Sequence, residues 1–313
     1  MANCDRESVY LQLPQQIKSN VLVEGNTVLP GFVKKRYING IRELNVRGTD
    51  VFVITWPKSG TTWMQHMVVQ IIRGEEQGDD QHLFRKWIFL EHSINVQDTD
   101  SEGQYTLSEG QDSTDPRLFK THLVPRLLPR QLTEKTPKQI FVARNPKDAA
   151  VSFFHFCNIN KALPNYAGWD EFLDQFCKGL LPHGDWFEHN IYWWERRNET
   201  NVLFIKYEDM KKDLRASVLE VSQFLAKSLT DEQLDNICEN VTFNNMRKNP
   251  NVNPDSEGGL GTNWKKSNAN HLTFLRKGIV GDWKNWFTVT QSEKFDELSR
   301  QKLAGTGLSF TFE

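Results

Sequence analysis

Three stretches of the chain share one order of positions: a short apolar run, a polar turn, then apolar residues at helical spacing. Val51–Thr55 (VFVIT) is a continuous apolar run, as a strand buried on both faces requires, and Thr62–Ile72 then carries its apolar side chains with the period of a helix. QIFVARNPKDAAVSFFHF repeats the order as a strand at Ile140–Ala143, a turn around Asn145-Pro146 and a helix opening near Asp148, whose carboxylate suits the positive end of the helix dipole. NVLFIKYEDMKKDLRASVLEVSQFLA supplies a strand from Val202 to Tyr207 and more helical sequence. Strands alternating with helices predict an α/β fold, a single domain with a central, mostly parallel sheet flanked by helices. WFEHNIYWWERRN places Phe187, Ile191 and Trp194 at i, i+4 and i+7, the pattern of a helix packed on a core. Asp98–Asp115 reads as an acidic surface loop, and Asn244–Asn270, with its prolines and glycines, as either a disordered segment or a lid over a ligand.

The turn after the first strand carries the most chemistry. A turn joining a strand to a helix N-terminus presents unpaired N–H groups and the positive end of the helix dipole, which together attract phosphate. Within PKSGTT, Gly60 permits close backbone approach, Lys58 adds a charge, and Ser59, Thr61 and Thr62 add hydroxyl donors. This is a P-loop-like strand-turn-helix, but it is not a Walker loop: Lys58 precedes the glycine, and Thr55 stands where that loop needs its first glycine.

Composition narrows the partners. With 38 Lys plus Arg against 40 Asp plus Glu, the formal charge of −2 supplies no global field for nucleic acid or an anionic membrane, so any anion site must be local. The four cysteines, Cys4, Cys157, Cys177 and Cys238, are widely spaced without CxxC pairing, which fits neither a disulfide framework nor a zinc site and implies a reducing compartment. The N-terminus lacks a cationic region followed by an apolar run, and no segment approaches the roughly 20 apolar residues of a membrane span, so a cytoplasmic protein is expected.

Five stretches together resemble the cytosolic sulfotransferase family: TWPKSGTTW at Thr55–Trp63, KTHL at Lys120–Leu123, RNPKDAAVSFFHF at Arg144–Phe156, YEDM at Tyr207–Met210 and FLRKGIVGDWKNWFT at Phe274–Thr288. That family moves a sulfuryl group from 3′-phosphoadenosine 5′-phosphosulfate (PAPS) to a hydroxyl or amine, leaving adenosine 3′,5′-bisphosphate (PAP), and uses no metal. The resemblance implies that Lys58, Ser59, Gly60, Thr61, Thr62 and Trp63 bind the 5′-phosphosulfate, with the Trp63 indole on adenine. It implies that Arg144, Ser152, Arg276, Lys277 and Gly278 hold the 3′-phosphate, with Phe274 and Leu275 in the same C-terminal motif and Tyr207 on the nucleotide. Val241, Thr242, Phe243 and Met246 match the segment that closes over adenine; many members have Thr-Ser where this chain has Val241-Thr242, which leaves only the backbone to contribute at Val241.

For catalysis the resemblance implies His122 as general base, Lys58 stabilising the leaving group, Lys120 orienting the acceptor and Ser152 restraining Lys58. Lys120 and His122, two apart in an extended segment, point to one face. Phe84, Phe89 and Phe156 match positions lining an apolar pocket for a small hydrophobic acceptor such as a phenol, steroid or alcohol; core packing is the competing reading for each, as it is for Tyr37, and His92 stands where relatives often place an aromatic residue. Residues 1–45 are expected to contribute to that pocket and 244–270 to form the lid, within one domain spanning 1–313. Lys284, Thr288, Val289 and Glu293 match the family's dimer motif, which implies a homodimer; a surface turn leading into a helix at Gln291–Leu303 is the plainer reading. Two other classes compete: a P-loop-type kinase, which needs magnesium and a carboxylate to hold it, and a nucleotide-binding protein without transfer activity.

Overall fold

The computed structural model describes residues 9, 12–18, 21–33, 35–73, 81–92, 96–97, 106–107, 114–255 and 273–313. Most of the acidic stretch 98–115 and residues 256–270 of the expected lid lie outside them.

Five parallel strands form the central sheet in the spatial order β4-β5-β3-β6-β7: β3 (Val51–Thr55), β4 (Ile88–Phe89), β5 (Leu118–Thr121), β6 (Lys138–Ala143) and β7 (Val202–Lys206). An antiparallel hairpin of β1 (Val21–Glu24) and β2 (Thr27–Pro30) precedes it. Alternation along each strand divides the apolar side chains between two cores. Phe52 and Ile54 of β3 and Phe141 and Ala143 of β6 join a cluster with Tyr37, Ile38 and Ile41 of helix α1 (Lys35–Arg42). Val51, Val53, Ile140 and Val142 join the opposite cluster with Met64, Met67 and Val68 of helix α2 (Thr61–Arg73). Because both faces are covered, β3 is buried along its whole length, the arrangement that a continuous apolar run demands. Each fully buried large aliphatic or phenyl side chain contributes roughly 1.5–3 kcal/mol. The starts of β3 and β5 are tied by a buried ion pair, with Arg117 donating to both Asp50 oxygens at 2.8 and 2.6 Å.

Some boundaries differ from the sequence reading, each for a local reason. Helix α3 (Pro146–Ile159) begins at the proline, whose missing N–H is an orphan position in any helix, and the Asn145 side chain caps it by accepting from the Asp148 amide at 2.8 Å. Tyr207 opens a short helix α6 (Tyr207–Lys212) instead of ending β7, and Asp213 interrupts the helical sequence to cap the next one. Helix α4 (Trp169–Cys177) and helix α5 (Trp186–Glu195) join α3 in a third, aromatic-rich cluster. The buried stripe of α5 is Trp186, Phe187, His189, Asn190 and Trp193, so Phe187 is buried as expected while Ile191 and Trp194 sit half-buried at its edge. Further on come α7 (Leu214–Phe224), α8 (Asp231–Asn240), α9 (Phe243–Lys248) and the C-terminal α10 (Val289–Leu303). The start of α10 is fixed two residues before the expected Gln291, by a reciprocal cap between Thr288 and Gln291.

Candidate functional site

The C-terminal ends of β3, β5 and β6 open into one cavity of about 630 Å³. The turn after β3 is built as the pattern of Lys, Gly and hydroxyl residues predicts. Lys58 and Gly60 both adopt positive φ, 64° and 111°, which wraps the backbone tightly before α2 starts at Thr61. A Cβ on Gly60 would lie 3.1 Å from the Tyr207 ring, so glycine is what lets the turn and Tyr207 approach each other. Lys58, Gly60, Thr61, Thr62 and Trp63 line the cavity, and the Trp63 indole stands edge-on to Tyr207 at 5.3 Å. Ser59 is not among the lining residues: its amide donates to the Trp56 carbonyl at 3.3 Å, and its hydroxyl is buried with no hydrogen-bond partner among the described residues.

A second basic corner forms where β6 ends. Arg144 donates to the Lys58 carbonyl at 3.2 Å and the Ile279 carbonyl at 3.0 Å, and its guanidinium lies 4.3 Å from the centre of the Tyr207 ring. Ser152 from α3 and Leu275, Arg276, Lys277 and Gly278 from the C-terminal segment line the same side. Asp148 pins that segment, accepting from the amides of Gly281 and Trp283 at 2.8 and 2.9 Å, while Asp282 accepts ion pairs from Arg276 and Lys277. Val241, Phe243 and Met246 complete the wall. Gly278 has φ 65°, and a Cβ there would meet the Phe243 ring at 2.3 Å. Thr242 is not among the lining residues; its hydroxyl caps α9 by accepting from the Asn245 amide and donates to the Glu239 carbonyl at 2.9 Å.

The third corner holds two lysines and a histidine. The Lys58 ammonium donates to the Phe274 carbonyl at 3.2 Å and lies over the rings of Phe274 and Phe156. Lys120 lies over Phe84 and Phe89 at 4.8 and 4.2 Å from their centres. Burial, then the nearby Arg144, push the Lys58 pKa down to about 7; burial pushes Lys120 down to about 8, with Glu91 opposing the shift. His122 follows directly after β5, and its Nδ1 is 2.9 Å from the Thr55 carbonyl. The Thr55 hydroxyl lies 3.0 Å from the same nitrogen and can accept as well as donate, whereas a carbonyl only accepts; both contacts are met when Nδ1 carries the proton, which leaves Nε2 as the unprotonated nitrogen. Burial, then the charge of Lys120, push the His122 pKa down to about 3.

All three expected acceptor-side phenylalanines, Phe84, Phe89 and Phe156, line the cavity, as does His92, stacked on Phe89 at 5.9 Å. Tyr37 does not; it is a core residue, 3% exposed, on α1. Phe32 and His183 line the cavity without having been singled out in the sequence. His183 stands with its ring 5.2 Å from that of His122, and Glu91 accepts the His122 amide at 2.5 Å. Loop residues with no shared periodicity carry no sequence signal of such a meeting, apart from the acid that follows the apolar run IFL at Glu91. Among the described residues no group of three or more His, Cys, Asp or Glu side chains is arranged to hold a metal ion.

Away from the cavity, Lys284 pairs with Glu313 of its own chain at 2.9 Å, Thr288 caps α10 and Val289 is 75% exposed.

Residues 48–307 match a family model described as Sulfotransferase domain. The chain is similar to sulfotransferase 1B1 of the dog, 37% identical over 273 residues that cover 87% of this chain and 90% of that protein. It is 37% identical to human sulfotransferase 1E1 over 294 residues, 93% of this chain and 95% of that one. Amine sulfotransferase of the rabbit is 37% identical over 285 residues, 90% of this chain and 89% of that protein. Among solved structures, mouse sulfotransferase SULT7A1 complexed with PAP superposes with a TM-score of 0.72 at 30% identity, covering 91% of this chain and 94% of that one. Retinol dehydratase in a complex with retinol and PAP superposes with a TM-score of 0.80 over 99% of this chain and 97% of that one; at 23% identity the likeness is one of fold.

Proposed function

The chain belongs to the sulfotransferase family and is a PAPS-dependent sulfotransferase, and from that premise we propose that His122 is the general base that takes the acceptor's proton during sulfuryl transfer. The observation that carries this reading is the bond from His122 Nδ1 to the Thr55 carbonyl, which selects the tautomer with a free Nε2 in a cavity also lined by Lys58 and Lys120. A base of such depressed pKa is fully unprotonated at neutral pH, and negative charge brought by the nucleotide offsets the lysines that depress it.

The two basic corners suit the two anionic ends of PAPS. Lys58, Gly60, Thr61, Thr62 and Trp63 are proposed to hold the 5′-phosphosulfate, and Arg144, Ser152, Arg276, Lys277 and Gly278 the 3′-phosphate. Tyr207, Val241, Phe243, Met246, Phe274 and Leu275 surround the nucleoside between them. The buried guanidinium Nε atoms of Arg144 and Arg276 and the indole N–H of Trp63 have no hydrogen-bond partner among the described residues, and all three are donors, as a ligand of phosphate and purine acceptors requires. Lys58 meets the charge that develops on the leaving oxygen, Ser152 restrains it and Lys120 orients the acceptor. Two charges about 4 Å apart interact by roughly 4 kcal/mol at an effective dielectric near 20, and each 1.36 kcal/mol off the barrier is about tenfold in rate.

The acceptor is proposed to be a small hydrophobic molecule bearing a hydroxyl or amine, seated against Phe84, Phe89 and Phe156, with Phe32 contributed by residues 1–45 and the segment 244–270 as a lid. A homodimer through Lys284, Thr288, Val289 and Glu293 and a cytoplasmic setting belong to the same proposal. Among the described residues no helix is long and apolar enough to cross a membrane.

The test is His122→Ala, assayed for PAP binding by calorimetry and for transfer from PAPS to a panel of phenols, steroids and alcohols. Binding is expected to persist while kcat falls about 10²–10⁴-fold, the range of general acid–base catalysis. A variant that retained most of its transfer activity would remove His122 from the role.

A further inference from the structure

We propose that Glu91 is a positioning residue for transfer: its buried carboxylate anchors the main chain of His122, at the end of the strand that also carries Lys120. The inference rests on the roles of His122 and Lys120 given above and adds to them a group from a different strand.

The sheet register places Glu91. β4 pairs in parallel with β5, Ile88 opposite Phe119 and Phe89 opposite Lys120, and the Leu90 amide extends the ladder by donating to the Lys120 carbonyl at 3.1 Å. One residue further on, Glu91 stands beside the point where β5 ends and His122 begins. Its side chain is 1% exposed, and Oε1 accepts the His122 N–H at 2.5 Å. A buried carboxylate carries a desolvation penalty that an apolar residue in the same place would not. Here the carboxylate meets two groups of the reaction centre. It takes the one main-chain donor of His122, whose ring is held separately by the Thr55 carbonyl, so that both ends of the residue are fixed. It is also the charge that opposes the fall in the Lys120 pKa.

The ionisable groups of this corner are Lys120 on β5, His122 after it, His183 against the His122 ring and His92 in the loop of Glu91 itself, with Lys58 and His189 acting on His122 from the β3 turn and α5. Burial pushes the Glu91 carboxyl up to about 7, against the His122 amide, the Thr121 hydroxyl and Lys120, which favour its charged form. Above that pH the carboxylate is charged and supports the Lys120 ammonium. Taking the charge away lets the Lys120 pKa fall further, so the alkaline loss of activity comes earlier.

Two substitutions separate the roles. Glu91→Gln keeps an acceptor for the His122 amide and removes the charge; under saturating PAPS, the alkaline limb of its kcat profile is expected to move to lower pH by about one unit. Glu91→Leu removes both, and its kcat for a simple phenol is expected to fall about 10–100-fold, with the KM for PAPS and the Kd for PAP within about threefold of wild type. An alkaline limb that stays in place in Glu91→Gln, together with a Glu91→Leu kcat near wild type, makes Glu91 a packing residue and overturns the proposal. Should Glu91→Leu show no melting transition, the pH profile of Glu91→Gln decides alone. A wild-type protein that binds PAP but transfers to no phenol, steroid or alcohol overturns the acceptor reading itself, a result distinct from an active wild type with an unmoved limb.

Discussion

Replacing Gly278 by alanine tests whether the C-terminal segment and the Phe243 wall proposed to face adenine are held together as tightly as the geometry requires. The residue has φ 65°, and the added Cβ would lie 2.3 Å from Cδ2, 2.7 Å from Cγ and 2.8 Å from Cε2 of Phe243. Left-handed backbone costs an L residue about 1–2 kcal/mol, and overpacking a filled site costs about 1–3 kcal/mol. Because the clash is with the ring itself, and not with the tip of a flexible chain, Phe243 or the 274–278 segment has to move, and both line the cavity proposed for the nucleotide. If only about 2 kcal/mol of the total falls on the nucleotide-bound state, PAP affinity weakens about 30-fold. Gly305 supplies the control: its φ is 76°, and a Cβ there would meet nothing within 4 Å. Gly305→Ala therefore carries the backbone cost without the clash, and its melting temperature should fall slightly while PAP affinity stays put. Calorimetric titration of both variants with PAP, alongside melting curves with and without the nucleotide, reads the two effects apart. A Gly278→Ala protein that binds PAP within about threefold of wild type would refute the assignment of this corner to the nucleotide.

Three further outcomes are expected. Arg144→Ala removes the guanidinium at the end of β6 and should weaken PAP binding about 10–100-fold, from the loss of about 1.5–3 kcal/mol of charge-assisted hydrogen bonding, with a smaller change in kcat at saturating PAPS. Lys58, with its pKa near 7, is largely neutral at pH 8, so binding an anionic nucleotide should take up a proton there and little or none at pH 6, which titrations in buffers of different ionisation enthalpy will show. By the same linkage, Lys58 and Lys120 bind fewer protons folded than unfolded between about pH 7 and 10, so their contribution to the stability of the nucleotide-free protein rises with pH across that window. Val289→Asp, at an exposed apolar position beside Lys284, should shift the protein from dimer to monomer in sedimentation velocity; a wild type that sediments as a monomer would remove the dimer from the proposal.

The parts of this protein legible in its sequence are those whose physics is local. The apolar run of β3 declared a strand covered on both sides, and the Lys58 to Thr62 segment declared a tight turn opening a helix, because a glycine and a helix N-terminus act within a few residues of one another. Caps such as Asn145 and Thr288 shifted helix starts by only two residues, since each depends on a single side chain reaching a nearby amide. Family resemblance pointed to Arg144, His122 and the 274–278 motif, while only the folded chain placed them around one cavity. The sequence was silent wherever a role depends on partners far apart in the chain. The cap that Thr242 makes on α9 depends on where that helix starts, which residue type alone does not declare. Glu91 and His183 look incidental, yet the register of β4 on β5 brings the first to the His122 amide, and the loop before α5 brings the second to its ring. Local propensity is written residue by residue, but a buried charge acquires its meaning from what the sheet sets beside it.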